Sequence, residues 1–307
     1  MDWLLGMTVR AVIALVHALP LEWAARLGRC LGAFAWIVDR RHRRVALANL
    51  EAALGAELGP EGVRRVARAN FLNLGENYVC AIRTAVMPDA ELGDRLEWVG
   101  AAEAVPKDGR SLVMAAGHFG NFELYARFGR FAPGARAATT YRALRQPSLN
   151  AAMQLLRGRS GMEFFERTRD ARRLRDALAG GTVMLGLLAD QHAGDKGLWL
   201  PFLGRGCSTT AAPAVYALRF DTVLRTAACF RTGLARWRIE MGPEIPTKEP
   251  DGTPREPAAI MTDANRALEA VVRRDPANWF WVHRRWKPAS HRQRNLPKAS
   301  AYDPDAD

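Results

Sequence analysis

Apolar positions recur along this chain with two periods, and the change between them divides it. The run from Trp3 to Leu19 is strongly apolar, interrupted by Arg10 and His17 and closed by Pro20, and Leu21 to Val38 is a second apolar helix carrying Glu22, Arg26 and Arg29. From residue 40 to 87 the pattern is helical: Val45, Leu47, Leu50 and Leu54, then Val63, Val66, Phe71, Leu74 and Tyr78, separated by a break at Gly59-Pro60. Beyond that point short apolar runs alternate with amphipathic ones. Strands are predicted at 96–100, 111–116, 137–141, 162–165, 182–188, 222–230, 236–241 and 279–282, and helices at 121–131, 147–157, 170–179, 211–220 and 258–274. Such alternation predicts an α/β fold: a single domain with a mainly parallel mixed sheet flanked by helices. The expected organisation is an N-terminal membrane-associated helical segment (1–39), a main domain (40–288) and a polar, disordered tail (289–307).

The N-terminal helices bear on where the protein works. Seventeen residues of helix cover about 25 Å, short of a hydrocarbon core of about 30 Å. Directly after the pair comes the basic cluster Arg40-Arg41-His42-Arg43-Arg44. No small-residue cleavage site follows a short apolar core, which argues against a removable signal peptide. Three readings are open: one span with its arginines cytoplasmic, a pair lying in the interface over anionic headgroups, or two core helices. The cluster favours the interfacial one.

Composition adds two constraints. Among 307 residues, 44 are basic and 32 acidic, a net charge of +12 that suits an anionic partner. Cys30, Cys80, Cys207 and Cys229 show no CxxC pair and no metal-ligand spacing, so reduced thiols are expected rather than a disulfide framework.

The most informative chemistry follows the strand at 111–116, where His118-Phe119-Gly120-Asn121-Phe122-Glu123 occupies a strand-to-helix junction. On a regular helix, residues five apart diverge by about 140°. His118 and Glu123 therefore meet only if His118 lies in the turn and Glu123 in the first helical turn. A carboxylate there can hold an imidazole in one tautomer, which is how a general base aimed at a hydroxyl is wired. No GxSxG elbow, Walker A loop or GxGxxG is present. A base without its own nucleophile activates one that belongs to the substrate.

Further residues gather at predicted strand ends. Tyr141-Arg142 and Arg157-Gly158-Arg159 place guanidinium groups where they can bind phosphate or a developing oxyanion, or form a solvated basic surface. Asp190 and Gln191 follow the strand at 182–188, at the rim where open α/β sheets collect ligands. The run 278–287 interleaves aromatic and basic residues. It lacks any accompanying recognition element for nucleic acid and reads as a buried strand with a basic exit.

Four motifs in this order resemble the bacterial lipid A late acyltransferases, of the HX4E type within the lysophospholipid acyltransferase-like superfamily: Gly117 to Glu123, Tyr141-Arg142, Ala189-Asp190-Gln191, and Val282-His283-Arg284-Arg285-Trp286-Lys287. The likeness runs from about residue 4 to 288. It implies a membrane-associated O-acyltransferase at the cytoplasmic face of the bacterial inner membrane. The donor would be a fatty acyl thioester of acyl carrier protein or CoA, the acceptor a hydroxyl of a glycolipid such as a lipid A precursor, with no cofactor, metal or nucleic acid. By resemblance His118 is the base and Glu123 its orienting partner. Tyr141 and Arg157 contact an oxyanion or acceptor phosphate, with Arg142 and Arg159 beside them, and Asp190 and Gln191 position the acceptor. His192 departs from the small polar or acidic residue expected there. The alternatives are acyl-CoA-dependent acylation of another phospholipid or a mannosylated lipid, and a non-catalytic protein that binds the membrane surface.

Overall fold

The computed structural model describes residues 2–131 and 136–288, so the tail expected to be disordered lies outside the described residues. Two N-terminal helices, α1 (Asp2–Ala18) and α2 (Leu21–Val38), lead into the long α3 (Arg40–Thr84). Pro60 cannot donate to the helical ladder, and α3 is interrupted beside it at Gly59 (φ 63°, ψ 171°). Asp39 caps its start by accepting from the His42 backbone N–H at 3.0 Å. Gly28 and Gly32 of α2 cross α3 at Gly75 with backbones nearly touching. A Cβ on Gly75 would stand 2.1 Å from the Gly28 carbonyl oxygen, so no larger residue fits the crossing.

The crossing is pinned by a buried carboxylate. Glu76 accepts from Arg29 Nη1 at 3.1 Å, Arg231 Nε at 2.9 Å and the Ala235 backbone N–H at 3.0 Å. One side chain thereby joins α2, α3 and the sheet.

After α4 (Asp89–Gly93), the chain builds β1 (Leu96–Val99), α5 (Ala101–Ala104) and β2 (Leu112–Ala116). A 3-10 turn (Phe122–Arg127) and α6 (Phe128–Phe131) precede β3 (Arg136–Tyr141), α7 (Pro147–Arg157), β4 (Glu163–Glu166), α8 (Ala171–Ala179) and β5 (Val183–Leu188). Next come the hairpin β6 (Leu198–Phe202) and β7 (Arg205–Thr209), then α9 (Ala212–Arg219), β8 (Val223–Gly233), β9 (Arg236–Glu244) and α10 (Pro257–Arg274). Seven strands form one sheet in the order β1-β9-β8-β2-β5-β3-β4, parallel except for the β8–β9 pair. β2 lies at its centre, all five of its residues buried, as a strand covered on both faces must be. The expected single α/β domain with a mostly parallel mixed sheet and flanking helices is what forms.

Three local expectations fail. The helix expected over 121–131 is a 3-10 turn followed by one α-helical turn. The β6–β7 hairpin was not foreseen, because its apolar residues are interrupted by Pro201 and Gly204. The predicted strand 279–282 makes a single bridge, Phe119 to Trp279. Its backbone bonds go elsewhere. Asn49 Nδ2 donates to the carbonyls of Trp281 and His283. Asn70 serves those of Ala277 and Trp279, and Asn73 that of Ala277. Amides projecting from α3 take the place of a neighbouring strand.

Among the described residues no helix is long and apolar enough to cross a membrane, which removes the spanning reading. On α2, Leu21, Ala24, Ala25, Gly28 and Gly32 face inward while Trp23, Leu27, Leu31, Phe34 and Val38 form an exposed stripe. On α1, Trp3 is 71% exposed and Leu15 61%.

Candidate active site

His118 and Asp190 owe their meeting to strand register. β2 and β5 run parallel with Ala116 opposite Leu188, and each strand is followed, two residues later, by one of the pair. The Asp190 carboxylate, 1% exposed, sits behind the imidazole. Oδ1 is 2.7 Å from His118 Nδ1, and Oδ2 accepts from the His118 backbone N–H at 2.7 Å. A third donor, the Trp279 indole, reaches Oδ2 at 2.7 Å. Burial opposes ionisation of Asp190. The His118 ring and the three hydrogen bonds outweigh it and hold the carboxyl below its ordinary range. An ionised carboxylate only accepts, so Nδ1 is the donor in this pair and Nε2 is the ring nitrogen left for other partners.

Two aromatic rings fix the imidazole plane. Phe122 meets it edge-on, with centroids 4.9 Å apart, and Phe280 stacks on it at 5.7 Å. The turn beneath is held by Gly120 at φ 56°, a conformation natural to glycine. A Cβ there would lie 2.1 Å from the Cys229 carbonyl oxygen.

His118 opens onto a cavity of about 230 Å³ between α3, the 118–127 turn and α7. Leu74, Ala81, Ile82, Leu124, Met153 and Leu156 give it a largely apolar wall. Glu123 lines the same cavity, yet its partner is Arg157, with Nη2 to Oε1 at 2.7 Å and Nε to Oε2 at 3.3 Å. The hydrogen bond expected between Glu123 and His118 does not form. A 3-10 turn carries Glu123 round toward the end of α7, and the imidazole's acidic partner comes from 72 residues downstream.

The other residues singled out in the sequence separate into two groups. Arg157 faces the cavity, whereas Tyr141 and the exposed Arg142 stand at the end of β3 and are absent from its lining. Arg159 is exposed beyond α7 and lies near α1. His17 is held below its usual pKa, by burial first and in part by the Arg159 charge. Gln191 presents its carbonyl to the buried Arg285 guanidinium at 2.9 Å, and that guanidinium also donates to Ser208 O and Thr209 Oγ1. His192 bonds its own loop, Nδ1 accepting from Gly194 N. Its backbone N–H donates to His283 Nε2 at 3.0 Å, which fixes a neutral His283; burial pushes that ring down to about 4.

Sequence reasoning missed Trp279 and Phe280 as parts of the site. Their alternation with Trp281 and Val282 reads as a generic buried strand, and nothing local marks a hydrogen bond to a carboxylate 89 residues away. It missed Asn77 as well, a residue on a helix read only for its apolar face.

The match to known proteins covers the same span as the fold. Residues 2–288 fit the family model for the bacterial lipid A biosynthesis acyltransferase. The chain belongs to that family. Two curated relatives of this acyltransferase are a lipid A biosynthesis palmitoleoyltransferase of Escherichia coli (strain K12) and a lipid A biosynthesis acyltransferase of Shigella flexneri. Each is 25% identical over 278 residues, 88% of this acyltransferase and 86% of the relative. The side-chain pairs above are those of this acyltransferase itself.

Proposed function

We propose that this acyltransferase moves a fatty acyl chain from an acyl thioester to a hydroxyl of a lipid A precursor, with His118 as general base. The observation that carries this reading is the His118–Asp190 pair, whose proton on Nδ1 turns the lone pair of Nε2 toward a largely apolar cavity. An acceptor hydroxyl there gives its proton to Nε2 as its oxygen attacks the thioester carbonyl. Asp190 stabilises the imidazolium, which returns the proton to the departing thiolate. General base catalysis of this kind is worth about a hundred- to ten-thousandfold in rate.

The remaining residues take supporting roles. The cavity wall holds the acyl chain, and the Glu123–Arg157 pair keeps α7 closed against it. Arg142 and Arg159, both exposed, contact phosphates of the acceptor, with Tyr141 and Gln191 as its polar neighbours.

The apolar stripe of α2 and the exposed face of α1 lie on the membrane surface, and the exposed arginines of the 40–44 cluster bind anionic headgroups. In this arrangement residues 1–39 dock the protein at the cytoplasmic face of the inner membrane, and residues 40–288 carry the chemistry. The basic balance also suits an acidic acyl carrier protein as donor.

The test uses purified protein, a lipid A precursor in mixed micelles and either acyl carrier protein thioester or acyl-CoA, with products read by mass spectrometry. One added acyl mass with wild type and none with His118→Ala, at matched melting temperature, is the expected outcome. Transfer by His118→Ala at the wild-type rate removes the mechanism.

A further inference from the structure

Two asparagines in the wall of the catalytic cavity have no partner for either side-chain polar atom. Asn121 is 1% exposed and Asn77 5%, and in both the Nδ2 and the Oδ1 are buried without a hydrogen bond. Buried carboxamides are normally satisfied, and an orphaned pair needs an explanation. These two share one cavity, and it is the cavity that holds the base.

Both are held in place by their surroundings. Asn121 follows the Gly120 turn, whose backbone N–H donates to the Asn278 carbonyl at 3.0 Å. Asn77 is next in sequence to Glu76, the carboxylate that fastens α3 to α2 and the sheet. Neither anchor uses the carboxamide itself.

Attack on a thioester pushes the carbonyl π pair onto oxygen, and the charge that develops needs donors already aimed at it. Two guanidinium groups in this wall are already engaged: Arg157 is bound bidentate by Glu123, and Arg127 donates to Asp89 and to the carbonyls of Thr84, Ala85 and Met87. The Thr84 hydroxyl donates to the Ala81 carbonyl. Two neutral amides with idle N–H groups supply donors without adding a buried charge.

We propose that the Nδ2 groups of Asn121 and Asn77 bind the thioester carbonyl oxygen and stabilise the oxyanion formed on it. This rests on the acyl-transfer reading and gives that site its electrophilic half. The acceptor O–H bond breaks as its proton passes to His118 Nε2, and the new C–O bond forms while the π pair moves to oxygen under the two amides. Return of that pair restores the carbonyl, breaks the C–S bond and releases a thiolate that takes the proton from His118.

The test compares steady-state kinetics and melting temperature for wild type, Asn121→Leu, Asn77→Leu and the double variant, with acyl carrier protein thioester and lipid A precursor. Leucine nearly matches asparagine in shape, so removing an orphaned amide leaves the melting temperature unchanged or raises it. Each single variant is expected to lose about 10²- to 10³-fold in kcat, with KM for both substrates little changed. Where a leucine variant does not fold, the serine variant at that position takes its place, and at least a tenfold loss in kcat is expected. Folded variants with wild-type kcat, or with a change in KM alone, overturn the assignment, as does a melting temperature that falls while turnover per folded molecule is kept. Wild type that neither transfers nor hydrolyses any thioester overturns the acyl-transfer reading and this inference with it. Active wild type beside unaffected variants overturns only the inference.

Discussion

The indole of Trp279 donates to Oδ2 of Asp190 at 2.7 Å, while Oδ1 of the same carboxylate holds the Nδ1 of His118. A tryptophan 89 residues downstream of that carboxylate thus helps set the aim of the imidazole. Trp279→Phe removes the donor and keeps most of the ring. A hydrogen bond to a charged group is worth about 1.5–3 kcal/mol, and part of it acts through Asp190. A fall in kcat of about tenfold is expected, with KM unchanged and the acid limb of the pH–rate profile displaced. Stopped-time acyl-transfer assays across pH check it.

Asp190→Asn and Glu123→Gln separate the two acidic residues. Asparagine at 190 can present its amide N–H to Nδ1 and favour the tautomer with the proton on Nε2. A loss in kcat of about 10³- to 10⁴-fold is expected, the scale seen when a buried triad aspartate is made neutral. Glu123→Gln leaves the His118–Asp190 pair intact and releases Arg157, so a smaller loss, expressed mostly in KM, is expected. Equal losses in kcat would return Glu123 to the imidazole.

Glu76→Ala strips two guanidinium groups and the buried Ala235 N–H of their shared acceptor. Breaking a buried pair costs about 3–5 kcal/mol. Because Arg29 and Arg231 are partly exposed, about 3 kcal/mol is expected. Urea denaturation with an unchanged m-value measures it.

Acid stability follows from buried rings. His283 titrates at about 4 in the folded protein and at about 6.5 when exposed. Between those values the unfolded chain holds a proton at this ring and the folded chain does not. Stability therefore rises with pH across the window and is lost as pH falls from about 6.5 toward 4. His192 and His17, lowered chiefly by burial, act in the same sense. Melting curves from about pH 7 to about pH 4.5 should show the decline, with a shallower slope in His283→Gln.

Trp23, Leu27, Leu31 and Phe34 contribute to the exposed α2 stripe, and Leu31 and Phe34 each leave more than half of their surface open. Leu31→Ser with Phe34→Ser is expected to weaken sedimentation with anionic vesicles about tenfold or more at constant melting temperature. Unaltered partition would separate these helices from membrane docking.

How much of this was legible in the sequence depends on the range of each interaction. The N-terminal helices, the buried β2 and the turn that carries His118 follow from local pattern and were readable to within a residue or two. His118 was readable as a candidate base because its turn is local. Its partner was not: Asp190 arrives through a parallel register between strands, which no single segment records. The choice of Glu123 as partner fails because a 3-10 turn advances the side chain differently from the α-helix that the pattern suggested. The segment after Pro276 resembles a strand in composition, and nothing local shows that its carbonyls are taken by three asparagines of α3 and the Gly120 backbone N–H.

Those asparagine tethers have a consequence for assembly. Trp279 and Phe280, which contact Asp190 and His118, come from a segment whose carbonyls are held by α3, more than 200 residues away in sequence. The imidazole therefore acquires its orientation only when that distant closure has been made, and a folded sheet without it would leave the ring unsteered.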